Sequence, residues 1–336
     1  MEVIRGTAHA SFPLTEQSRL GEARRHATQL AREAGMDDVD AGRVALVATE
    51  LATNLLRHAR EGRLLVCRHE ATVELIAIDQ GPGIADLGRS LADGYSTGGT
   101  PGTGLGAVRR LADDFDITSS VPQGTVALAR IHAGRVRRAS GAHALCAGAV
   151  SLNAPGESVC GDAWCIAHDG ERGSILLADG LGHGPMAAEA SAAAVEVFAK
   201  DPFADCRTFV QQAHARLRAT RGAALAVMHL DAAAGVVRYA GAGNVLGRLI
   251  SGVSDRSLVT QHGTAGLTIR TVEPAQVEWP QHALLVAHTD GIESRWQAQT
   301  LVPLLQRDPT LAAAVLLRDH CRGRDDATVV VMRRKD

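Results

Sequence analysis

Two sets of residues in this chain have types and spacings suited to phosphate chemistry. Glu50 and Asn54 stand four apart in a run of helical periodicity, so both project from one helix face. Further on, Asp79-Gln80-Gly81-Pro82-Gly83 closes an apolar strand, and Gly102-Thr103-Gly104-Leu105-Gly106 opens a helix after a long irregular loop over 87–101. Taken singly, a Glu and an Asn on a helix are an ordinary solvated face. Together the pieces fit a nucleotide. A carboxylate at a strand end can accept from an adenine amino group, and flanking glycines let a base approach the backbone. A glycine-rich turn running into a helix presents free N–H groups to phosphates. The Asn54 amide oxygen can ligate Mg²⁺, which takes few protein ligands besides the phosphates. Glu50 could take the proton from an attacking hydroxyl or water.

The second set is acidic. Asp162 follows Gly161 at a strand start, and Asp179-Gly180 ends another strand in Asp179-Gly180-Leu181-Gly182-His183-Gly184. Asp290-Gly291 ends a third, and Asp325-Asp326 precedes the last. A single Asp-Gly is usually a turn. Aspartates at the ends of several apolar strands can instead converge and offer the hard oxygens that Mg²⁺ or Mn²⁺ prefers. Two such ions can orient a hydroxide in line with a phosphoryl group.

Elements able to position these residues are legible. Glu2–Ser11 has strand character, and Thr15 can cap a helix running to Gly35. Asp37 or Asp38 starts a second helix, with Val44, Val47, Leu51 and Leu55 at helical spacing. Strands are expected over Arg63–Arg68, Thr72–Asp79, Phe115–Ser119 and Thr125–Ile131, with a short helix near Ala107–Leu111. The basic, aperiodic stretch Ala133–His143 reads as a linker. Beyond it the pattern predicts strands at Leu145–Leu152, Ala163–His168 and Ser174–Ala178. Helices follow after Pro185 and near Thr208–Ala219, then a meander over Ala223–Leu230, Val236–Ala240 and Val245–Ile250. A buried strand at Ala283–His288, a helix at Leu311–His320 and a strand at Ala327–Met332 close the chain. A chain of 336 residues accommodates two domains.

Composition narrows the partners. The formal net charge of −2 gives no reason to expect nucleic acid. No apolar run approaches the ~20 residues of a membrane helix, so no membrane is expected. The six cysteines read as buried reduced thiols of a cytoplasmic protein, and Cys160 and Cys165 are not at zinc-ligand spacing.

In this order, Glu50-x-x-x-Asn54, Asp79-x-Gly81-x-Gly83 and the Gly102–Gly106 run resemble the GHKL (Bergerat-fold) ATPases. They look more narrowly like the anti-sigma-factor serine kinases, over about Val3–Ile131. A dinucleotide fingerprint fails on context, because that loop should follow the first strand of a βαβ unit. A histidine kinase would need a phosphorylated helical hairpin ahead of residue 40, and His26 alone does not supply one. The resemblance implies Glu50 as base, Asn54 as magnesium ligand and Asp79 as adenine contact. It also implies that Gly81 and Gly83 shape the base pocket and that Gly102, Thr103, Gly104, Leu105 and Gly106 form the phosphate lid. Thr125 is a further contact near adenine.

The acidic set, over about Ala144–Arg333, resembles the SpoIIE-like branch of the PPM metal-dependent protein phosphatases. This implies Asp162, Asp179, Asp290 and Asp325 as ligands of two Mn²⁺ or Mg²⁺ ions, with the Gly180 carbonyl contributing and Asp326 secondary. Eukaryotic relatives carry a histidine directly after the Asp-Gly. Leu181 stands there and His183 comes two residues later, so the general acid is unassigned.

The implied fold is α+β in two domains. Residues 1–132 would form a Bergerat α/β sandwich, a mixed sheet with helices on one face. Residues 133–143 would be the linker, and 144–336 a PPM α-β-β-α sandwich. The implied function is a switch protein that uses ATP with Mg²⁺ to phosphorylate Ser or Thr of a STAS-type anti-sigma antagonist or stressosome protein and then removes that phosphate. An anti-sigma factor is a further implied partner. The alternative is an ATP-binding partner-binding or sensor domain that gates a phosphatase without kinase activity.

Overall fold

The computed structural model describes residues 1–91, 104–135 and 143–335. Gly102 and Thr103 of the expected phosphate lid, and residues 136–142 of the expected linker, lie outside the described residues. The chain divides into two compact units, His9–Ser140 and Met1–Ala8 with Gly141–Asp336. The first eight residues thus belong with the later unit, a correction to the boundary at residue 1. The strand expected over Glu2–Ser11 is really two. β1 (Glu2–Arg5) pairs with a strand of the later unit, Ile4 lying opposite Ile166. Gly6 N–H then donates to the Trp164 carbonyl at 2.8 Å. A four-residue strand shows in its own sequence that it will pair, but not with which sheet.

The unit His9–Ser140 contains β2 (Ala10–Pro13), α1 (Gln17–Glu33), α2 (Asp38–His58), β3 (Arg63–His69), β4 (Thr72–Ile78), α3 (Leu87–Ser90), α4 (Gly104–Leu111), β5 (Asp114–Ser120) and β6 (Gly124–His132). Its sheet has the order β2-β3-β4-β6-β5. All four pairings run antiparallel, a narrower pattern than the mixed sheet the resemblance implied. Alternate residues of the strands (Leu64 and Val66, Val73 and Leu75, Ala129 and Ile131) share one core with Ala27 of α1 and Val44, Val47 and Leu51 of α2. Both helices therefore cover the same face. Asp37 caps α2 by accepting from Asp40 N–H at 2.8 Å. α1 begins after Glu16 rather than Thr15, and no side chain caps it.

Arg43 fixes α4 against α2. Its guanidinium donates to the Leu111 carbonyl at the end of α4 (2.9 and 2.6 Å), to Asp40 (2.9 Å) and to Asp113 (2.6 Å). An unpaired buried charge would cost several kcal/mol. Here two carboxylates and a helix C-terminal carbonyl offset it.

In the later unit follow β7 (Leu145–Leu152), β8 (Asp162–Asp169), β9 (Arg172–Gly180), α5 (Pro185–Lys200), α6 (Cys206–Leu217), β10 (Ala223–Asp231), β11 (Val236–Ala242) and β12 (Leu246–Ile250). Then come β13 (Asp255–Leu258), β14 (Gly263–Thr264), β15 (Thr268–Ile269), β16 (Ala275–Glu278), β17 (Leu284–His288), α7 (Pro309–His320) and β18 (Ala327–Arg334). One sheet has the order β1-β8-β9-β10-β11-β16 and the other β13-β12-β17-β18-β7. Trp164, Ile166, Leu177, Leu285 and Val330 pack between them. On the outer face of the first sheet, Phe198 of α5 and Phe209 of α6 pack on Leu176 and Val227. α7 lies on β7 and β18 of the second sheet. The layers are α-β-β-α. β13 to β16 had no counterpart in the sequence reading, since strands of two to four residues are too short to show a period. No helix among the described residues is long and apolar enough to cross a membrane.

Candidate active sites

In the first unit, Glu50 and Asn54 sit half-buried one turn apart on α2. The Asn54 Nδ2 is buried without a hydrogen-bond partner. The start of α4 lies beside it: a Cβ on Gly104 would stand 3.6 Å from Asn54 Oδ1. The N–H groups that open a helix lack intrahelical partners, so this corner combines unfilled donors with an unsatisfied amide. Gly106 is buried, and the Leu105 side chain packs on the helix–sheet core.

Asp79 follows β4 directly. Its N–H donates to the Thr125 carbonyl at 3.0 Å, and its Oδ1 accepts from Gly81 N–H at 2.7 Å. Ser119, which sequence reasoning missed, ties the corner together. Its hydroxyl accepts from Ile84 N–H at 2.7 Å, donates to the Gly124 carbonyl at 3.1 Å and meets Thr125 Oγ1 at 2.9 Å. Asp79, Gly81, Gly83 and Thr125 thus share one corner, with Gly83 packed against the Ser120 backbone. Gly124 sets this approach. Its φ is +98°, and a Cβ there would overlap the Asp79 carbonyl. Gly124→Ala is expected to cost about 1–3 kcal/mol through backbone strain and to weaken ATP binding by displacing Asp79. Thermal melting and calorimetry check both. Unchanged affinity would separate Asp79 from the nucleotide.

In the later unit the aspartates come together at strand ends. Asp162 opens β8 and Asp179 sits one residue before the end of β9, and the two are cross-strand partners. Asp290 lies just past β17 and Asp325-Asp326 just before β18, adjacent strands of the other sheet. Burial drives the Asp179 carboxyl up to about 9, reinforced by the negative charges of Asp162, Asp290, Asp325 and Asp326. Burial likewise raises Asp162 to about 7, with Asp326 and Asp290 adding to the shift. Asp290 and Asp326 are raised too, first by burial and then by the negative charge of Asp325. Five carboxylates crowded in this way are a poor packing solution on their own.

Specific contacts hold them. Thr289 Oγ1 donates to Asp162 Oδ2 at 2.8 Å and accepts from Thr328 N–H at 3.0 Å, so a single hydroxyl ties β8 to β17 and β18. Asn244 Nδ2 donates to Asp290 Oδ2 at 2.6 Å. Asp326 Oδ1 accepts from Ala154 N–H at 2.8 Å, and Asp325 Oδ1 from Asp326 N–H at 2.9 Å. A Cβ on Gly161 would stand 2.6 Å from Asp326 Oδ2, so glycine is needed for that approach. Asp162 Oδ1 is buried with no partner. An orphaned carboxylate oxygen among hard oxygen donors fits a divalent cation. Sequence reasoning did not single out Thr289 or Asn244; the only signal was that each adjoins a Gly or Asp-Gly turn. The Gly180 N–H donates to the Gly161 carbonyl at 3.1 Å. Leu181 is exposed, and His183 Nδ1 meets Glu157 Oε1 at 2.6 Å in a partly exposed hydrogen bond.

Comparison with known proteins finds matches to both parts of the chain. The family profile of the Histidine kinase-like ATPase domain matches residues 12–131, and that of Stage II sporulation protein E (SpoIIE) matches residues 169–335. Serine/threonine-protein kinase RsbT of Bacillus subtilis (strain 168) is 37% identical over 107 residues, which are 31% of this chain and 80% of RsbT. Phosphoserine phosphatase RsbX of the same organism is 29% identical over 94 residues, which are 28% of this chain and 47% of RsbX. Among solved structures, a chain reported under "The bacterial stressosome: a modular system that has been adapted to control secondary messenger signaling" superposes with a TM-score of 0.53 at 25% identity. It covers 56% of this chain and 99% of that one. RsbX crystallised with magnesium has the same fold, with a TM-score of 0.51 at 21% identity, covering 57% of this chain and 96% of that one. The chain belongs to the histidine kinase-like ATPase domain family through residues 12–131, and its residues 169–335 match the SpoIIE profile in a unit that shares its fold with RsbX.

Proposed function

We propose that this chain is a bifunctional switch enzyme. Its first unit transfers phosphate from ATP to a serine or threonine of a STAS-type antagonist or stressosome protein, and its second removes that phosphate. The observation that carries this reading is the convergence of Asp162, Asp179, Asp290, Asp325 and Asp326 in a chain that also holds a kinase-like nucleotide corner. The likeness to RsbT and RsbX, named as a kinase and a phosphatase, supports the pairing.

In the kinase half, Glu50 accepts the proton of the substrate hydroxyl as its oxygen attacks the γ-phosphate and ADP leaves. Asn54 is the magnesium ligand, Asp79 reads the adenine amino group, and Gly81, Gly83 and Thr125 line the base pocket. Gly102, Thr103, Gly104, Leu105 and Gly106 cover the phosphates. In the phosphatase half, Asp162, Asp179, Asp290 and Asp325 with the Gly180 carbonyl hold the divalent ions, and Asp326 supports them. Bound ions would stabilise charge on the phosphoryl oxygens and acidify the attacking water. Thr289 and Asn244 orient Asp162 and Asp290, as partners of ligating carboxylates do.

Incubating the full chain with labelled ATP, Mg²⁺ and STAS proteins from the same genome tests the reading. Label is expected on a serine or threonine of one of them, and Mn²⁺ with removal of ATP should then release it as inorganic phosphate. ATP binding with no transfer to any of them would leave the nucleotide unit as a sensor or partner-binding domain.

A further inference from the structure

Neither phosphate site uses a cluster of soft ligands in the first unit. His9, Cys67, His69 and Glu74 each offer one donor atom, and the four atoms lie within 4.8 Å of one another. We propose that these four side chains form a binding site for a zinc-class divalent ion, separate from both phosphate sites. The strand register builds it. Cys67 is paired with Glu74 across β3 and β4, and Glu74 with Arg130 across β4 and β6. Ala10 is paired with Val66, so His9, one residue before β2, falls in the same row. His69, two residues beyond Cys67, projects from the same face of β3. These positions alternate with the residues that pack on the helices.

The distances lie within about half an ångström of those in a tetrahedral coordination shell. Cys67 Sγ lies 3.2 Å from His9 Nε2, 3.1 Å from His69 Nε2 and 3.7 Å from Glu74 Oε1. Glu74 Oε1 lies 3.1 Å from His9 Nε2 and 3.8 Å from His69 Nε2. Metal–ligand bonds of about 2.0–2.3 Å in a tetrahedron require ligand atoms roughly 3.3–3.8 Å apart. Pairwise hydrogen bonds account for two of these atoms at a time. Four donor atoms of metal-binding types held within 4.8 Å of one another also make a complete ligand set.

The rest of the shell is in order. Arg130 Nε donates to Glu74 Oε2 at 2.6 Å, which turns Oε1 toward the other three ligands, the second-shell arrangement metal sites use. A thiolate and a carboxylate balance a divalent ion, and thiolate with imidazole selects zinc-class metals over Mg²⁺. Four protein ligands make a closed, structural site. His9, Cys67 and Glu74 are buried, while the His69 side chain is 23% exposed and gives the ion its way in. Binding would displace the Cys67 proton and fasten the edge strand β2 to β3 and β4.

The test uses the full chain, stripped with chelator and titrated with Co²⁺ in place of zinc. One equivalent should produce a thiolate-to-cobalt charge-transfer band with tetrahedral visible bands, and Zn²⁺ should abolish them. An all-oxygen aspartate site gives no thiolate band, so the band reports the Cys67 site whatever Co²⁺ the aspartates take up. Cys67→Ser should remove the band. His69→Ala, at the exposed ligand, should keep the native circular dichroism and weaken cobalt binding at least about ten-fold. Metal analysis of protein purified without chelator should find one zinc per chain more in the wild type than in His69→Ala. No thiolate band in the wild type, or a band of unchanged affinity in His69→Ala, overturns the proposal. If Cys67→Ser does not fold, the His69 result decides.

Discussion

Asp179→Asn is expected to abolish metal-dependent dephosphorylation by the full chain while leaving ATP-dependent phosphorylation intact, so that phosphoprotein accumulates. Metal stabilisation of the transferring phosphoryl group is worth several kcal/mol. At about 1.4 kcal/mol per tenfold, the loss should reach about 10³. Asp179 is the choice because its carboxyl is pushed up to about 9 by burial and by four other aspartates. The same substitution should raise the melting temperature in chelator above pH 7, because asparagine is buried neutral without the proton that Asp179 must take up on folding. Folded Asp162 and Asp179 titrate above an unfolded value near 3.8. Their contribution is therefore fully present below about pH 4 and is lost as pH rises through about 7 to 9. In chelator the wild type should melt lower with rising pH across that window, and Mn²⁺ should abolish the slope by linkage. A variant that dephosphorylates at the wild-type rate, or a chelated protein with no such slope, would remove the metal from the centre of the cluster.

Glu50→Ala is expected to slow phosphotransfer by about 10²–10⁴, the usual contribution of a general base. ATP affinity should change little, since the proposed base pocket is the separate corner where Asp79 meets Gly81 and Thr125 after β4. Dephosphorylation should be unaffected. Single-turnover transfer at saturating ATP gives the number. Transfer at the wild-type rate in this variant would remove Glu50 from the mechanism and favour a substrate-assisted transfer.

Much of this molecule was legible residue by residue. The helical spacing of Val44, Val47, Leu51 and Leu55 gave one face of α2 and the pair Asp37-Asp38 its start, with Asp37 the cap in the structure, because capping and periodicity are local properties. The long strands alternate or run apolar over seven or more residues, enough for a period-2 signal. The aspartates of the second unit were recognisable because each ends or opens an apolar strand at a turn. A strand end is where a side chain can leave the sheet without leaving the edge of the core.

What the tertiary structure decided is everything that depends on which strand lies beside which. Alternation tells a strand its faces but not its neighbours. β1 was therefore read with the first unit although it pairs with β8. Thr289 reaches Asp162 across 127 residues and Asn244 reaches Asp290 across 46, contacts that no local window contains. The cysteine spacings, tested for zinc on Cys160 and Cys165, pointed away from Cys67. Its closest partners are His9, 58 residues before it, and His69, on the same strand. Residue types determine which atoms can bind a metal or move a proton, while the register of a sheet determines which of them meet.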